Sequence, residues 1–278
     1  MNALWFFPAL LCYALAAAGF VLDRTGFRRP EAAYGGTATV LLGIGAGLHT
    51  VDLLLEGWQA GNIPVANFPQ SLSFLAWLTA IAGLILIVRL RMNVVGAVVG
   101  PIVFIVLSVA ASLMSKNRLM LPESLRSAWL PVHVTLAFLG DALFVLAAGV
   151  SLLYLVYEHR LKAKRPFGPN DKRTPSLEKL DRINYQLLGW GFLMLSLAIV
   201  SGAIWADATW GYFWSWEPQE SWSLIIWLLY AGLLESRLAV GWRGRRVAAL
   251  TIVVFTVLVG SFIGVNLVTP GKHGGNFG

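Results

Sequence analysis

Apolar residues recur along the chain in runs of about twenty, and polar and charged residues are concentrated in the stretches between them. An α-helix needs about 20 apolar residues to cross the hydrocarbon core of a bilayer. The pattern therefore predicts an all-α polytopic integral membrane protein with about eight transmembrane helices, forming one membrane domain over residues 1–278. The predicted spans are roughly 4–22, 37–55, 71–88, 94–113, 130–157, 187–206, 222–240 and 248–268.

The composition agrees with a membrane protein and excludes an ordinary soluble one. Hydrophobic residues make up 57% of the chain and charged residues only 13%, whereas soluble domains carry about 25% charged residues. The single cysteine, Cys12, lies in the first apolar run and has no partner in the chain for a disulfide. The sequence also lacks C-x-x-C-H, so we expect no haem covalently attached to this chain. The first run lacks a basic leader, and we expect no cleaved signal peptide.

The distribution of basic residues predicts the orientation in the membrane. The net charge is +7, and 17 of the 21 Lys and Arg residues fall in the loops after spans one, three, five and seven. Because basic loops stay on the cytoplasmic side, both termini are predicted to be external. The longest internal loop, about 158–184, is interpreted as a solvated basic linker. Within it, residues 176–184 are predicted to form a short helix with Ser176 as its N-cap. Basic residues placed in this way signal topology, and no nucleic acid partner is expected.

The external side then carries an unusual loop at about 207–222. Residues 210–222 read W-G-Y-F-W-S-W-E-P-Q-E-S-W and contain four of the chain's twelve tryptophans. Tryptophan has a large apolar ring with one N–H donor, so such a loop suits a flat, mostly apolar ligand with a few polar groups. The alternative is an aromatic belt at the membrane surface, where tryptophan gathers generally.

The four histidines differ in depth and side. His133 opens span five and His273 follows span eight, both at the external face, while His49 lies in span two about two-thirds of the way outward. His159 falls in the basic internal loop and is interpreted as a solvated residue. Imidazole is a common axial ligand of haem iron, so His133 and His273 are predicted to bind one iron from its two sides. For His49, a ligand and a hydrogen-bonded packing residue remain alternatives.

Other chemistries have little support in the sequence. It contains no H-E-x-x-H, no phosphate-binding glycine loop and no G-x-S-x-G elbow. The intramembrane acids Asp52 and Asp141 are compatible with a proton pathway. A secondary transporter is a third alternative, but the repeat of discontinuous helices typical of such proteins is missing.

The tryptophan-rich stretch resembles the "WWD" signature of haem-handling membrane proteins, and most closely that of the CcsA/ResC (System II) cytochrome c assembly family. Three further segments agree with it: P-V-A-N-F-P-Q-S-L-S-F-L-A-W before span three, W-L-P-V-H-V at the start of span five, and G-V-N-L-V-T-P-G-K-H at the end. The likeness runs from about residue 40 to 275.

The resemblance implies a site for haem b at the external face. His133 and His273 match the axial ligands of the haem iron, and His49 lies where bacterial members often have a histidine. The signature positions matched are Trp210, Gly211, Trp214, Trp216, Glu217, Pro218 and Trp222.

The chain departs from the family pattern at several positions. Glu217 replaces the usual aspartate, Gln219-Glu220-Ser221 replaces K-E-T, and G-K-H-G-G replaces the usual G-L-H-S-Y ending. Glu235 stands where many members have a histidine implicated in a second, intramembrane haem. A carboxylate is a poor substitute for imidazole on low-spin haem, so a second haem is not expected from this position.

The resemblance also implies a function and partners. The chain would hold haem for thioether attachment to the C-x-x-C-H of apocytochrome c, as part of a cytochrome c synthase complex. The implied partners are a ResB/CcsB-like membrane protein, apocytochrome c, a thioredoxin-like reductant pathway and the lipid bilayer, in a bacterial inner or thylakoid-type membrane. The alternative is a HemX-like protein that binds haem or regulates its supply without lyase activity.

Overall fold

The computed structural model describes residues 3–25, 34–113, 129–164 and 175–268, and every regular element in those ranges is an α-helix. This confirms the predicted all-α class and the eight helices. Seven of the helices in these ranges are long and apolar enough to cross a membrane, and the helix Pro218–Leu238 is not among those seven. The helices are α1 (Ala3–Thr25), α2 (Tyr34–Ala60), α3 (Phe68–Leu90), α4 (Asn93–Ser112), α5 (Leu130–Lys162), α6 (Leu177–Trp210), α7 (Pro218–Leu238) and α8 (Arg245–Val268).

One end of the bundle gathers charged side chains, and we call it the basic end. Asp181 near the start of α6 forms a two-pronged ion pair with Arg237 near the end of α7, with N–O distances of 2.9 and 2.6 Å. The same carboxylate accepts the backbone N–H of Gly244, just before α8. These bonds fasten three helix ends together. The opposite end, which holds the loops 61–67 and 211–217, is called the tryptophan end.

The first four helices pack closely through small residues. Gly96 of α4 lies against the ring of Phe20 of α1, and even a methyl group at this position would overlap that ring. Gly100, one turn further along α4, faces the backbone of Ala17. Helices without large side chains at a contact approach closely and gain van der Waals packing, which is the main force between helices in a membrane.

The last four helices also pack through a glycine, and two of their aromatic rings stack. A Cβ at Gly191 of α6 would lie 2.7 Å from the ring of Phe144 of α5, so the glycine makes room for that ring. Tyr230 of α7 stacks on the ring of Phe144, with ring centroids 3.6 Å apart. The two groups of four meet where Phe74 of α3 contacts Phe138 of α5, at 5.8 Å between centroids.

The start of α6 confirms one sequence prediction and corrects another. Ser176 is the N-cap, as predicted, and its hydroxyl accepts the backbone N–H of Lys179. The separate short helix expected at 176–184 does not exist, because α6 runs without interruption from Leu177 to Trp210. No proline breaks the sequence between the cap and the apolar run, so the polar first turns simply extend the spanning helix. Which end of the bundle faces outward stays a prediction from the charge distribution.

Candidate functional site

His133 lies in the first turn of α5, at the tryptophan end. Its ring Nδ1 is 2.9 Å from the backbone carbonyl oxygen of Ala198 on α6. Because a carbonyl oxygen only accepts, Nδ1 carries the proton and the lone pair of the neutral ring lies on Nε2. Metal-binding histidines are commonly held in this way, by a hydrogen bond from the nitrogen that does not bind the metal. The hydrogen bond therefore orients the ring with its lone pair on Nε2, and the role of His133 as a ligand stays a prediction.

The imidazole fits against α6 because a glycine faces it. A Cβ added at Gly202 would lie 2.7 Å from Cε1 and 2.9 Å from Nδ1 of His133, closer than any real side chain allows. Trp205, one turn further along α6, lies nearly parallel to the imidazole at 17°, with centroids 6.5 Å apart. The imidazole thus packs on the bare backbone at Gly202 and lies nearly parallel to the ring of Trp205.

The helix end that carries His133 is also tied to α6 beside the imidazole. The indole N–H of Trp129, the N-cap residue of α5, donates to the carbonyl oxygen of Ser201 at 2.8 Å. The hydroxyl of Ser201 donates to the same Ala198 carbonyl that holds His133, at 2.9 Å. Since these bonds and the imidazole bond all fall within one turn of α6, the first turn of α5 has a fixed register on its neighbour.

Aromatic rings continue from His133 toward the tryptophan-rich loop. Trp205 is only 3% exposed, and Trp210 meets it edge-on with centroids 5.1 Å apart. Tyr212 stacks on Trp210 at 6.3 Å. Of the predicted tryptophans, Trp210 is therefore the one joined to the histidine, through a tryptophan that lies outside the predicted set.

The loop 211–217 is built around one carboxylate. Gly211 ends α6 in the left-handed conformation with φ 80°, where glycine is favoured. Its N–H donates to the backbone carbonyl oxygen of Asp207. Glu220, in the first turn of α7, then accepts the backbone N–H of Ser215 at 2.7 Å, the Ser215 hydroxyl at 3.0 Å and the backbone N–H of Glu217 at 3.4 Å. The negative charge also lies at the N-terminus of α7, where the helix dipole favours it.

This winding places Trp216 in an unusual conformation. Its φ is 59°, in the left-handed region that a bulky side chain adopts only at a cost. The side chain is 71% exposed. Trp214, two residues before it, meets Trp216 edge-on at 5.9 Å. The indole N–H of Trp214 is shielded from solvent and has no hydrogen-bond partner within the described ranges.

The remaining signature residues lie at the start of α7. Glu217 is its N-cap residue, and Pro218 follows at the first helical position, where the missing N–H is harmless. Trp222 lies in the first turns of the helix and is 40% exposed. His273 belongs to residues 269–278, outside the described part of the chain.

His49 lies in a different environment, fully buried between α1, α2 and α3. Its Nε2 is 2.9 Å from the hydroxyl of Ser73, and its Nδ1 is 3.3 Å from the hydroxyl of Tyr13. A Cβ at Gly45 would meet the ring of Tyr13 at 2.9 Å, so a glycine again makes room for the pair. Both ring nitrogens thus lie beside hydroxyl groups, which favours the packing alternative for this histidine. Its role as a ligand stays a prediction.

Glu235 lies near the end of α7 that belongs to the basic end, and its side chain is exposed. It stands two residues before Arg237, which is paired with Asp181. This carboxylate and His133 are therefore at opposite ends of the molecule.

Several residues that shape the site were missed by sequence reasoning. Trp205 falls in an apolar span and reads as ordinary core, and backbone carbonyls carry no signal of their own. A weak signal exists in α6, where small residues recur on one face before the two tryptophans of W-A-D-A-T-W. The residues missed are Ala66, Trp129, Ala198, Ser201, Gly202 and Trp205.

The fold and this site define a class: a polytopic helical membrane protein with an oriented histidine and a tryptophan-rich loop at one end. The family model described as "Cytochrome C assembly protein" matches residues 65–273, which include both His133 and the loop. The chain belongs to this cytochrome c assembly protein family, as the resemblance implied.

Named relatives agree over most of the chain. It is 32% identical to the "Cytochrome c biogenesis protein CcsA" of Synechococcus sp. (strain CC9605), with 96% of this chain and 97% of that protein covered. Proteins of the same name from Prochlorococcus marinus (strain NATL2A) and Guillardia theta are each 34% identical to it, and each alignment covers 81% of this chain. The alignments cover 80% of the Prochlorococcus protein and 81% of the Guillardia protein.

Proposed function

We propose that this chain is the haem-binding membrane subunit of a cytochrome c assembly system. It holds haem b at the external face, with His133 and His273 as the axial ligands of the iron and the tryptophan-rich loop against the macrocycle. The single observation that carries the proposal is the hydrogen bond from His133 Nδ1 to the carbonyl of Ala198, since it puts the ring proton on Nδ1 and the lone pair on Nε2.

The surroundings of His133 fit a haem. Trp205 and Trp210 provide apolar aromatic surface beside the imidazole. The shielded N–H of Trp214 is a donor suited to a polar group such as a propionate. With a second imidazole from His273, the iron would be six-coordinate and low-spin.

Haem is the substrate that this subunit presents, and the bond-forming groups belong to haem and apocytochrome. Each reduced cysteine of C-x-x-C-H adds its sulfur to one carbon of a vinyl group and its hydrogen to the other. No electrons are gained or lost overall in that addition. The subunit's contribution is to fix the position of the vinyl groups relative to the thiols, and positioning alone accounts for a large part of many rate enhancements.

The proposal includes partners. A ResB/CcsB-like membrane protein would complete the synthase, and a thioredoxin-like pathway would keep the apocytochrome thiols reduced. The bundle is placed in a bacterial inner or thylakoid-type membrane with the tryptophan end outward, because the basic residues cluster at the other end.

Absorption spectra of the purified protein in mild detergent test the ligand assignment. The wild type should carry a six-coordinate haem in both oxidation states, and His133→Ala and His273→Ala should each give a five-coordinate species or lose the haem. His159→Ala, at the basic end of α5, is the matched control and should leave the spectra unchanged. Wild-type spectra that persist in both variants would overturn the assignment.

A further inference from the structure

The loop 61–67 between α2 and α3 reaches the His133 site from the first half of the bundle. Ala66 packs against the cluster formed by Leu130 and Trp205. Trp205 is the ring that lies parallel to the imidazole of His133, and Leu130 is three residues before that histidine. The end of this loop belongs to the P-V-A-N-F-P-Q segment that carries part of the family resemblance, and it packs on residues beside the candidate ligand.

Two polar side chains hold this loop. The carbonyl oxygen of the Gln70 side chain accepts the backbone N–H of Ala66 at 2.8 Å. The amide nitrogen of the same side chain donates to Glu56 Oε1, near the end of α2, at 2.7 Å. The two partners fix the orientation of the amide, because one end must accept and the other must donate.

The Gln70 side chain is the acceptor for Ala66, while the other loop bonds, from Asn62 N to the Gly57 carbonyl at 3.2 Å and from Val65 N to the Ile63 carbonyl at 2.9 Å, do not involve that residue. Pro64 and Pro69 on either side have no N–H groups to donate. The N-cap bond from Gln70 N to Asn67 Oδ1, at 2.9 Å, starts α3 but does not reach Ala66. Without the Gln70 carbonyl, the N–H of Ala66 would lose its partner beside an apolar cluster, which favours movement of the loop.

We propose that Glu56 and Gln70 are positioning residues for the haem site: together they hold Ala66 against Leu130 and Trp205, and thereby fix the plane of the His133 imidazole. The proposal rests on the proposed function, since it concerns the same histidine. Neither side chain is assigned to contact haem. Their effect passes through the loop and Trp205.

The first test uses the protein without haem. Diethyl pyrocarbonate modifies imidazole nitrogens, and peptide mass spectrometry gives the rate of modification at His133. We expect this rate to rise several-fold in Gln70→Leu and Glu56→Leu, because the wall behind the imidazole loosens. Glu56→Gln keeps an acceptor for the Gln70 amide and should restore the wild-type rate.

Trp77→Phe is the matched control. The indole N–H of Trp77 on α3 donates to the hydroxyl of Thr50 on α2 at 2.8 Å, so it joins the same two helices as the Glu56–Gln70 bond. This hydrogen bond does not involve the loop 61–67. Trp77→Phe should therefore leave the modification rate of His133 unchanged even if it lowers the melting temperature.

Haem titration provides the second readout. Loss of an outer hydrogen-bonding partner typically weakens metal binding by roughly 10–100-fold. Glu56 and Gln70 act on His133 only indirectly, so we expect the haem affinity of Gln70→Leu and Glu56→Leu to fall by the lower end of that range, about tenfold. Unchanged haem affinity and unchanged His133 modification in both variants would overturn the proposal, as would an equal effect in Trp77→Phe.

Failure of this inference is distinguishable from failure of the proposed function. If His133→Ala loses the low-spin haem while the Glu56 and Gln70 variants behave as wild type, only the positioning role is wrong. If His133→Ala keeps the low-spin haem, the proposed function is wrong whatever the other variants do. Should Gln70→Leu fail to fold, the Glu56→Leu and Glu56→Gln pair decides, because both keep the Gln70 side chain as the acceptor of the Ala66 N–H.

Discussion

His49 and His133 lie in different halves of the bundle, one in the middle of a helix and one at a helix start, and their partners differ in kind. Both lie in apolar helices, and at both a glycine makes room for the aromatic pair. His49 is fully buried between the hydroxyls of Tyr13 and Ser73. His133 is half-buried at a helix start, and its Nδ1 meets a backbone carbonyl.

The difference shows how one residue type serves two purposes. Hydroxyl groups donate or accept, so they satisfy either tautomer of His49 and join three helices without selecting a ligand atom. A carbonyl only accepts, and it therefore fixes the proton of His133 on Nδ1 and presents Nε2. His49 is thus suited to packing, and His133 is suited to binding a metal through Nε2.

The largest expected effect comes from filling the space beside His133. Gly202→Ala places a methyl group 2.7 Å from Cε1 of the imidazole, so the ring must move from its hydrogen bond. We expect haem affinity, measured by titration in detergent, to fall by roughly 10–100-fold. Gly189→Ala is the control in the same helix, because a Cβ there meets no atom within 4 Å. Equal affinities for the two variants would contradict the role given to Gly202.

At His49 we expect a substitution to lower the stability of the protein without changing haem binding. His49→Ala removes the partner of two buried hydroxyls, those of Tyr13 and Ser73, and each such loss costs about 1–3 kcal/mol. The variant should therefore melt at a lower temperature while its haem spectrum stays that of the wild type. His49→Gln, which can both donate and accept, should recover part of the stability. If His49→Ala loses the low-spin haem spectrum, the distinction between a packing role for His49 and a ligand role for His133 is wrong.

The tryptophan-rich loop should depend on Glu220 more than on its neighbours. Glu220→Ala removes an acceptor of three donors from Ser215 and Glu217. Hydrogen bonds to a charged group contribute about 1.5–3 kcal/mol, so the amides of Ser215 and Glu217 should exchange with deuterium roughly tenfold faster or more. Gln219→Ala, at an exposed neighbouring position, should leave the exchange rates as they are. Similar rates in both variants would mean that the carboxylate does not organise the loop.

The smallest expected effect concerns backbone strain at Trp216. Its φ of 59° costs a non-glycine residue about 1–2 kcal/mol. Trp216→Gly and Trp216→Ala both remove the exposed ring, but only glycine relieves the strain. The glycine variant should therefore be the more stable of the two by about 1 kcal/mol in thermal denaturation. A more stable alanine variant would show that the left-handed conformation is not populated.

The fold was largely predictable because long apolar runs have few solutions in a membrane. Only helices satisfy every backbone group within one segment, so eight runs became eight helices. The boundaries were less predictable: α6 extends ten residues further toward its N-terminus than the apolar run at 187–206. A run of high hydropathy marks only the apolar part of a helix, so the polar turns that begin α6 were not assigned to it.

The site was predictable only in part. His133 was identified from its position, and the loop from its tryptophans, but the residues that orient the histidine were not. Ala198 acts through its backbone oxygen and Gly202 through the lack of a side chain. Neither contribution can be recognised from the identity of the residue. Trp205 and Ala66 come from distant segments of the chain, and only the tertiary packing of α3, α5 and α6 brings them to the site.

The most direct test of the central claim replaces each of the two histidines by glycine and adds imidazole. His133→Gly should carry a five-coordinate haem, or none, and free imidazole should restore the six-coordinate low-spin spectrum. His49→Gly should show the low-spin spectrum with or without imidazole. A low-spin haem in His133→Gly before imidazole is added, or an imidazole-dependent spectrum in His49→Gly, would contradict the account.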